Sequence, residues 1–281
     1  MDMRNLVINY HLTERCNYSC EFCFAKYGLE EKFNTELHRN VDSVKLMLED
    51  VFRYFRKSFK SIRLNFAGGE PLLVANLIDI VDIALYIGYE VSIITNGSLL
   101  KASLISNLFQ KISMVGISID SFNSETNHKI GRYTKNKPNY NIRQFIEELN
   151  KLPCKLKINT VVNRHNWQED MSISINELNP DRWKIFKVLP IQPNTIGITD
   201  EQYQYFIETH YKKVGTLVFA ENNDDMRESY IMIDPLGRFY QNSENDKGYI
   251  YSERILEQGT EKAFEQIVFD KIKFNQRYIS L

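Results

Sequence analysis

Three cysteines crowd into eight residues near the N-terminus, Cys16-Asn17-Tyr18-Ser19-Cys20-Glu21-Phe22-Cys23, with the spacing CxxxCxxC. Thiolates held this close ligate metal. Three of them suit three corners of a 4Fe–4S cluster and leave the fourth iron open for a ligand. A closed structural zinc site asks for a fourth protein ligand, and the one candidate, His11, stands at a spacing unlike the usual zinc pairs. Cys154, alone after Pro153, reads as a small buried hydrophobe. A thiol cluster without a disulfide framework belongs in a reducing compartment, so a cytoplasmic protein is expected.

A second set of residues could hold a phosphate. Alternate residues of a strand point to opposite faces. Lys157 and Asn159 share a face opposite Leu156, Ile158 and Val162, and Arg182 and Lys184 share a face one strand later. Asn9 and His11 share a face of the first strand, and Gly116, Ser118 and Asp120 share one on the fourth. Buried parallel strands read as continuous apolar runs, so these polar faces either line a wet interior, where the sheet curls into a barrel, or stand exposed at a sheet edge, which would account for one strand but not four. Anionic groups such as phosphates need cationic partners such as Lys157, Arg182 and Lys184. No GxxxxGK[ST] motif is present, so the phosphates would not sit in a P-loop.

These side chains need strands to carry them, and the sequence supplies six: Leu6–Leu12, Ile62–Phe66, Glu90–Thr95, Met114–Ile119, Leu156–Val162 and Trp183–Leu189. Helical patterns stand between them at Val41–Phe59, Leu77–Ile87, Leu99–Phe109, Tyr140–Lys151 and Trp167–Leu178. Strands alternating with helices predict an α/β fold with a parallel sheet. Pro190–Thr199 reads as a loop, and Asp200–Lys213 as a helix opened by a Thr199/Gln202 capping box. Tyr230–Asp234 and Arg238–Gln241 flank Pro235-Leu236-Gly237 as a hairpin. No repeat or linker is visible, and the simplest division is a barrel over residues 1–190 with a C-terminal extension over 191–281 that closes it.

Composition bounds the alternatives. Of 281 residues, 43% are hydrophobic, which excludes a disordered chain. The 35 basic and 36 acidic residues nearly cancel, which argues against nucleic acid as a partner. No apolar run spans a bilayer, so no membrane association is expected.

The cysteine spacing after the first strand, together with Gly68-Gly69-Glu70-Pro71 after the second, resembles the radical S-adenosylmethionine (SAM) superfamily. The resemblance implies a partial (β/α)6 barrel with Cys16, Cys20 and Cys23 on a 4Fe–4S cluster and SAM on its open iron. It implies that Gly68 and Gly69 let backbone approach the ligand, that Glu70 accepts from the SAM ammonium, and that Phe22 lies near the adenine. Further segments resemble the viperin family: Asn9-Tyr10-His11, Asn65-Phe66-Ala67, Ser118-Ile119-Asp120-Ser121-Phe122, Ile130-Gly131-Arg132, Lys157 to Arg164, Glu169-Asp170-Met171, Asp181 to Phe186 and Glu228 to Asp234. By that resemblance Ser118 and Arg132 hold the SAM carboxylate and Asn96 meets its ribose. Asn9, His11, Lys157, Asn159, Arg182 and Lys184 would meet the substrate, and Tyr230 would give an electron or proton late in turnover.

The implied reaction converts a ribonucleoside triphosphate (CTP, UTP or GTP) to its 3′-deoxy-3′,4′-didehydro analogue, a chain terminator used in antiviral or anti-phage defence. An electron donor of flavodoxin or ferredoxin type is implied as a partner. The chain starts almost at its first strand, as in the short microbial members, and the tail Phe274 to Leu281 lacks the Gly-rich, Trp-ending sequence of the family. Two other readings stand beside this one: a peptide-modifying radical SAM enzyme and a zinc-stabilised binding module. The first often carries extra cysteines for auxiliary clusters, which Cys154 alone does not supply.

Overall fold

The structure is a computed structural model that describes residues 5–27, 34–134, 142–189, 196–242 and 249–276. In chain order the strands are β1 (Asn5–His11), β2 (Ser61–Ala67), β3 (Glu90–Thr95), β4 (Met114–Ser118), β5 (Lys155–Val162), β6 (Arg182–Lys187), β7 (Val218–Glu221), β8 (Ile231–Ile233), β9 (Arg238–Asn242) and β10 (Tyr249–Arg254). The helices used below are α1 (Val41–Phe55), α2 (Leu77–Ile87), α3 (Ala102–Leu104), α4 (Ser124–Ile130), α5 (Ile142–Leu149), α6 (Ser172–Leu178) and α7 (Asp200–Val214).

Contacts divide the chain into two compact units: Met1–Arg15, Ala25–Ile93 and Asp225–Leu281 form one, and Cys16–Phe24 with Ile94–Asp224 the other. This differs from a cut after residue 190, because strand pairing sorts the C-terminal residues. β7 pairs parallel with β6, whereas β8 pairs parallel with β1.

In the first unit β1 lies between β8 and β2, and β2 continues to β3, all parallel. β9 and β10 are added antiparallel beyond β8. Leu6, Ile8 and Tyr10 are fully buried, as strands covered on both faces demand. α1 turns Val44, Met47, Leu48, Val51 and Phe55 inward, each burial worth ~1.5–3 kcal/mol. Its cap is Asn40, whose side chain accepts from the Ser43 amide. The expected hairpin forms over Pro235-Leu236-Gly237. Asp234 holds it, its carboxylate accepting from the Leu236 and Arg238 amides at 3.0 and 2.9 Å.

In the second unit β4, β5, β6 and β7 run parallel. Val115, Ile117, Leu156, Ile158, Trp183 and Ile185 are essentially buried. Their alternation partners are the polar residues of the candidate site. The Thr199/Gln202 capping box opens α7 as expected.

Three expectations change. The expected helix over Leu99–Phe109 is the short α3 followed by a π-helical turn, Ile105–Phe109. The one over Trp167–Leu178 begins only at Ser172, where the Asp170 carboxylate accepts from the Ser172 amide and hydroxyl and sets the start of α6. β7 and β10 are strands that the sequence reading did not separate from loop. Residues 140–141 of the expected fourth helix, 190–195 of the expected loop and 277–281 of the tail lie outside the described residues. Among the described residues no helix is long and apolar enough to cross a membrane.

Candidate active site

The cysteine loop is docked on the end of α4. The Ser19 amide donates to Gly131 O at 3.2 Å and the Glu21 amide to Ile130 O at 3.1 Å. Gly131 caps α4 at φ +88°, and a Cβ there would collide with the Ser19 carbonyl. Both the left-handed backbone and the close approach therefore require glycine. Cys20 and Phe22 pack with Ile130, Val188 and Ile196, so the loop has its own small core. Cys16 is exposed, Cys20 buried and Cys23 between the two, and none of them is in a disulfide. The Cys16 sulfur accepts from the Tyr18 amide at 3.4 Å and from Asn96 Nδ2 at 3.7 Å.

Burial pushes the Cys20 thiol up to about 12, against the pull of Arg132. The free thiol is thus protonated, and a metal must displace that proton to bind. Among the described residues no three His, Cys, Asp or Glu side chains already converge on one metal position. Three soft thiols on one loop, with amide donors to sulfur, fit a cluster that each cysteine ligates through a different iron. Cys154 is buried beside Lys155, with its thiol also pushed up to about 12 by burial.

A cleft of about 250 Å³ lies in the same unit, lined among others by Tyr18, Asn96, Ser118, Ser121, Asn127 and Arg132. The structure therefore brings together Asn96, Ser118 and Arg132, which the sequence proposed as one set. Arg132 donates through Nε to Asp120 and lies 5.8 Å from the centroid of the Phe22 ring. Asn96 is oriented by its neighbours, donating to Asn17 Oδ1 at 2.9 Å and accepting from the Ser98 amide at 2.8 Å. Glu169, unassigned in the sequence reading, accepts from the Ser121 and Thr126 hydroxyls at 2.6 and 2.5 Å. It fixes the segment that forms one wall of the cleft.

The Gly-Gly-Glu turn belongs to the first unit. Gly68, at φ +138°, would place a Cβ 2.5 Å from Thr13 O, and a Cβ on Gly69 would collide with Arg15 O. The glycines thus let the turn lie against the backbone of Thr13–Arg15, with Gly69 N donating to Thr13 O at 2.6 Å and Glu70 N to Arg15 O at 2.9 Å. The close contact of the two glycines is with protein backbone. Glu70 is fully buried and its carboxylate accepts from the Leu72 amide at 3.0 Å. Thr13 is held from its side chain by Glu36, which also takes the Glu14 amide at 2.9 Å and His38 Nε2 at 3.0 Å. Burial alone would raise the Glu36 carboxyl; the bonds from His38, Glu14 and Thr13 outweigh it and hold the group below the usual carboxylate range.

The cationic face of the second unit is formed as the alternation predicts. Lys157 is opposite Arg182 and Asn159 opposite Lys184. A Cβ on Gly116 would stand 3.0 Å from Lys157 Cε and 3.2 Å from Asn159 Nδ2. The Arg182 guanidinium lies over the Phe219 ring at 3.9 Å. Lys184 differs from expectation in one respect: its Nζ is 2.6 Å from Glu221 Oε1, and both are buried. Nothing in the four-residue run of β7 marked Glu221 beforehand. Asn159 Oδ1 is buried with no hydrogen-bond partner, an acceptor suited to a donor on a ligand.

Asn9, His11 and Tyr230 lie in the first unit. Asn65 donates to Asn9 Oδ1 at 2.7 Å and Ser92 to Asn65 Oδ1 at 2.9 Å, a polar ladder across β1, β2 and β3. His11 Nδ1 is 2.6 Å from Tyr27 Oη, which is 2.8 Å from Tyr240 Oη. Burial pushes the His11 imidazole down to about 3, so it is neutral. Tyr230 is half-buried just before β8, and its carbonyl accepts from Gln241 Nε2.

The radical SAM superfamily pattern matches residues 10–178. The S-adenosylmethionine-dependent nucleotide dehydratase of Pseudoalteromonas ulvae is 38% identical, over 99% of this chain and 94% of that protein. The protein of the same name from Psychrobacter lutiphocae is 38% identical over 98% of this chain and 95% of its own length. The dehydratase RSAD2 of Danio rerio is 34% identical over 96% of this chain and 76% of its own. Among solved structures, anSMEcpe with bound AdoMet and Kp18Cys peptide superposes at a TM-score of 0.67 with 15% identity, over 96% of this chain and 84% of that one. Streptococcus suis SuiB bound to precursor peptide SuiA gives 0.62 with 15% identity, over 99% and 67%. The structural neighbours share the fold, the near full-length relatives share the sequence, and the chain belongs to the radical SAM superfamily and, within it, to the S-adenosylmethionine-dependent nucleotide dehydratases, the viperin family.

Proposed function

We propose that this chain dehydrates a ribonucleoside triphosphate (CTP, UTP or GTP) to the 3′-deoxy-3′,4′-didehydro analogue, a chain terminator of use in antiviral or anti-phage defence. The observation that carries the reading is the shared face of Lys157, Asn159, Arg182 and Lys184 on β5 and β6. In this reading Cys16, Cys20 and Cys23 hold a 4Fe–4S cluster. Ser118 and Arg132 take the SAM carboxylate, and Asn96 its ribose. Phe22 supports the adenine, and Gly68, Gly69 and Glu70 shape the turn that faces the SAM ammonium. The cluster and SAM, when bound, supply the radical that removes the ribose 4′-hydrogen.

The protein's own residues do the rest. Lys157, Arg182 and Lys184 hold the phosphates, which fixes the ribose and excludes shorter nucleotides. Asn159 offers its open acceptor to a ligand hydroxyl. Asn9 and His11 support the substrate side through the β1 ladder and the Tyr27 bond. After the 3′-hydroxyl leaves as water, Tyr230 supplies the electron, with a proton where needed, that completes the alkene. A cytoplasmic donor of flavodoxin or ferredoxin type restores the reducing equivalents.

Anaerobically reconstituted protein incubated with SAM, dithionite and each of the four ribonucleoside triphosphates tests this. Mass spectrometry should show one nucleotide losing water in step with 5′-deoxyadenosine. SAM cleavage with every nucleotide unchanged would reject the proposal.

A further inference from the structure

Asp120 is a buried charged group that the proposed reaction does not use, and its carboxylate joins β5 to Arg132. It lies two residues beyond the end of β4 and is fully buried. One carboxylate oxygen accepts from the Val161 amide of β5 at 2.8 Å, and the other accepts from Arg132 Nε. Its carbonyl accepts from Asn166 Nδ2 at 2.8 Å, and Asn166 Oδ1 takes the Asn163 amide at 2.7 Å. The carboxylate is therefore fixed to the sheet before it meets Arg132. A guanidinium is a rigid planar fork, so fixing Nε fixes the direction of the remaining N–H groups.

Arg132 and Ser118 both line the cleft, and Arg132 directly follows Gly131, on which the cysteine loop is docked. A free arginine side chain in an open cleft would have to be ordered by each ligand that it binds. A pre-ordered one would not. We propose that Asp120 is a positioning residue that aims Arg132 at the carboxylate of SAM, so that its effect is confined to ligands that carry that carboxylate. This rests on the reading of Arg132 as the carboxylate's partner.

The test compares SAM with decarboxylated SAM, which lacks only the carboxylate, by equilibrium binding to the reconstituted holoprotein. In Asp120→Asn the amide keeps an acceptor for Val161 but turns a donor toward Arg132, which releases the guanidinium. SAM should bind at least about tenfold more weakly, the loss of one charge-assisted bond. Decarboxylated SAM should bind within about twofold of its wild-type affinity, an effect below half of one such bond. Asp120→Glu keeps the charge but moves it by one methylene. It should show the same selectivity with a smaller loss, and it serves where the amide variant does not fold. In an Arg132→Met background, adding Asp120→Asn should change SAM affinity no further.

Equal weakening of both ligands would make Asp120 a structural residue only, and no weakening of SAM would remove it from the site. Arg132→Met separates the two readings. If that variant weakens both ligands alike, the assignment of Arg132 fails. If it is selective for SAM while Asp120→Asn is not, only the role of Asp120 fails.

Discussion

Lys184 Nζ and Glu221 Oε1 are 2.6 Å apart, with the two side chains only 10% and 7% exposed. The pair puts one buried acid onto a face otherwise made of Lys157, Arg182 and Lys184. Losing one partner of a buried pair costs ~3–5 kcal/mol, because the other charge is left uncompensated. Lys184→Ala is thus expected to lower the melting temperature as well as triphosphate affinity. Lys157→Ala and Arg182→Ala should lose affinity, by ~1.5–3 kcal/mol each, with far smaller effects on melting. Calorimetric titration with nucleotide, SAM and thermal melts separates the three. A Lys184 variant as stable as wild type would show the pair to be loose in solution.

The cysteine loop gives a second prediction. Cys16→Ala, Cys20→Ala and Cys23→Ala should each abolish iron and sulfide retention after anaerobic reconstitution, and Cys154→Ala should leave both unchanged. Gly131→Ala should mimic the cysteine variants without touching a thiol. Its left-handed backbone costs a Cβ residue ~1–2 kcal/mol, and the methyl collides with Ser19. Iron bound at wild-type level in Gly131→Ala would mean that the loop is not held by its docking on α4.

His11 sets a pH dependence. Burial lowers its imidazole from 6.5 to about 3, so the folded chain resists a proton that the unfolded chain accepts. The contribution to stability is complete above pH 6.5 and is lost as pH falls from there toward 3. Melting temperature should fall across that range, and more gently in His11→Gln, measured against wild type in the same buffers. Parallel curves for the two proteins would assign the acid limb to other groups.

Tyr230→Phe tests the last step of the proposed reaction. The variant should still bind nucleotide and still form 5′-deoxyadenosine in its presence, while dehydrated nucleotide falls much further. The ratio of the two products by chromatography is the measurement. Equal loss of both would point to binding through the phenol, and no loss would make Tyr230 a packing residue.

Several features were legible without coordinates because they are local. The CxxxCxxC spacing fixes three thiols on one loop whatever surrounds it. Alternation on a strand fixed Lys157 with Asn159 and Arg182 with Lys184, since a period of two leaves no choice of face, and the register of β5 with β6 agrees. The capping box at Thr199 and the hairpin at Pro235 were likewise written in a few adjacent residues.

Tertiary structure decided what depends on distant partners. Gly68 and Gly69 lie against the backbone of Thr13 and Arg15, which stand far earlier in the chain. The partner of His11 Nδ1 is Tyr27, sixteen residues on. The charge on Lys184 was counted whole until Glu221, 37 residues later, came to stand beside it. In each case the residue type and its face follow from the chain itself. Which group completes its hydrogen bond or cancels its charge depends on which strand pairs with which, and that is settled only when the whole core packs.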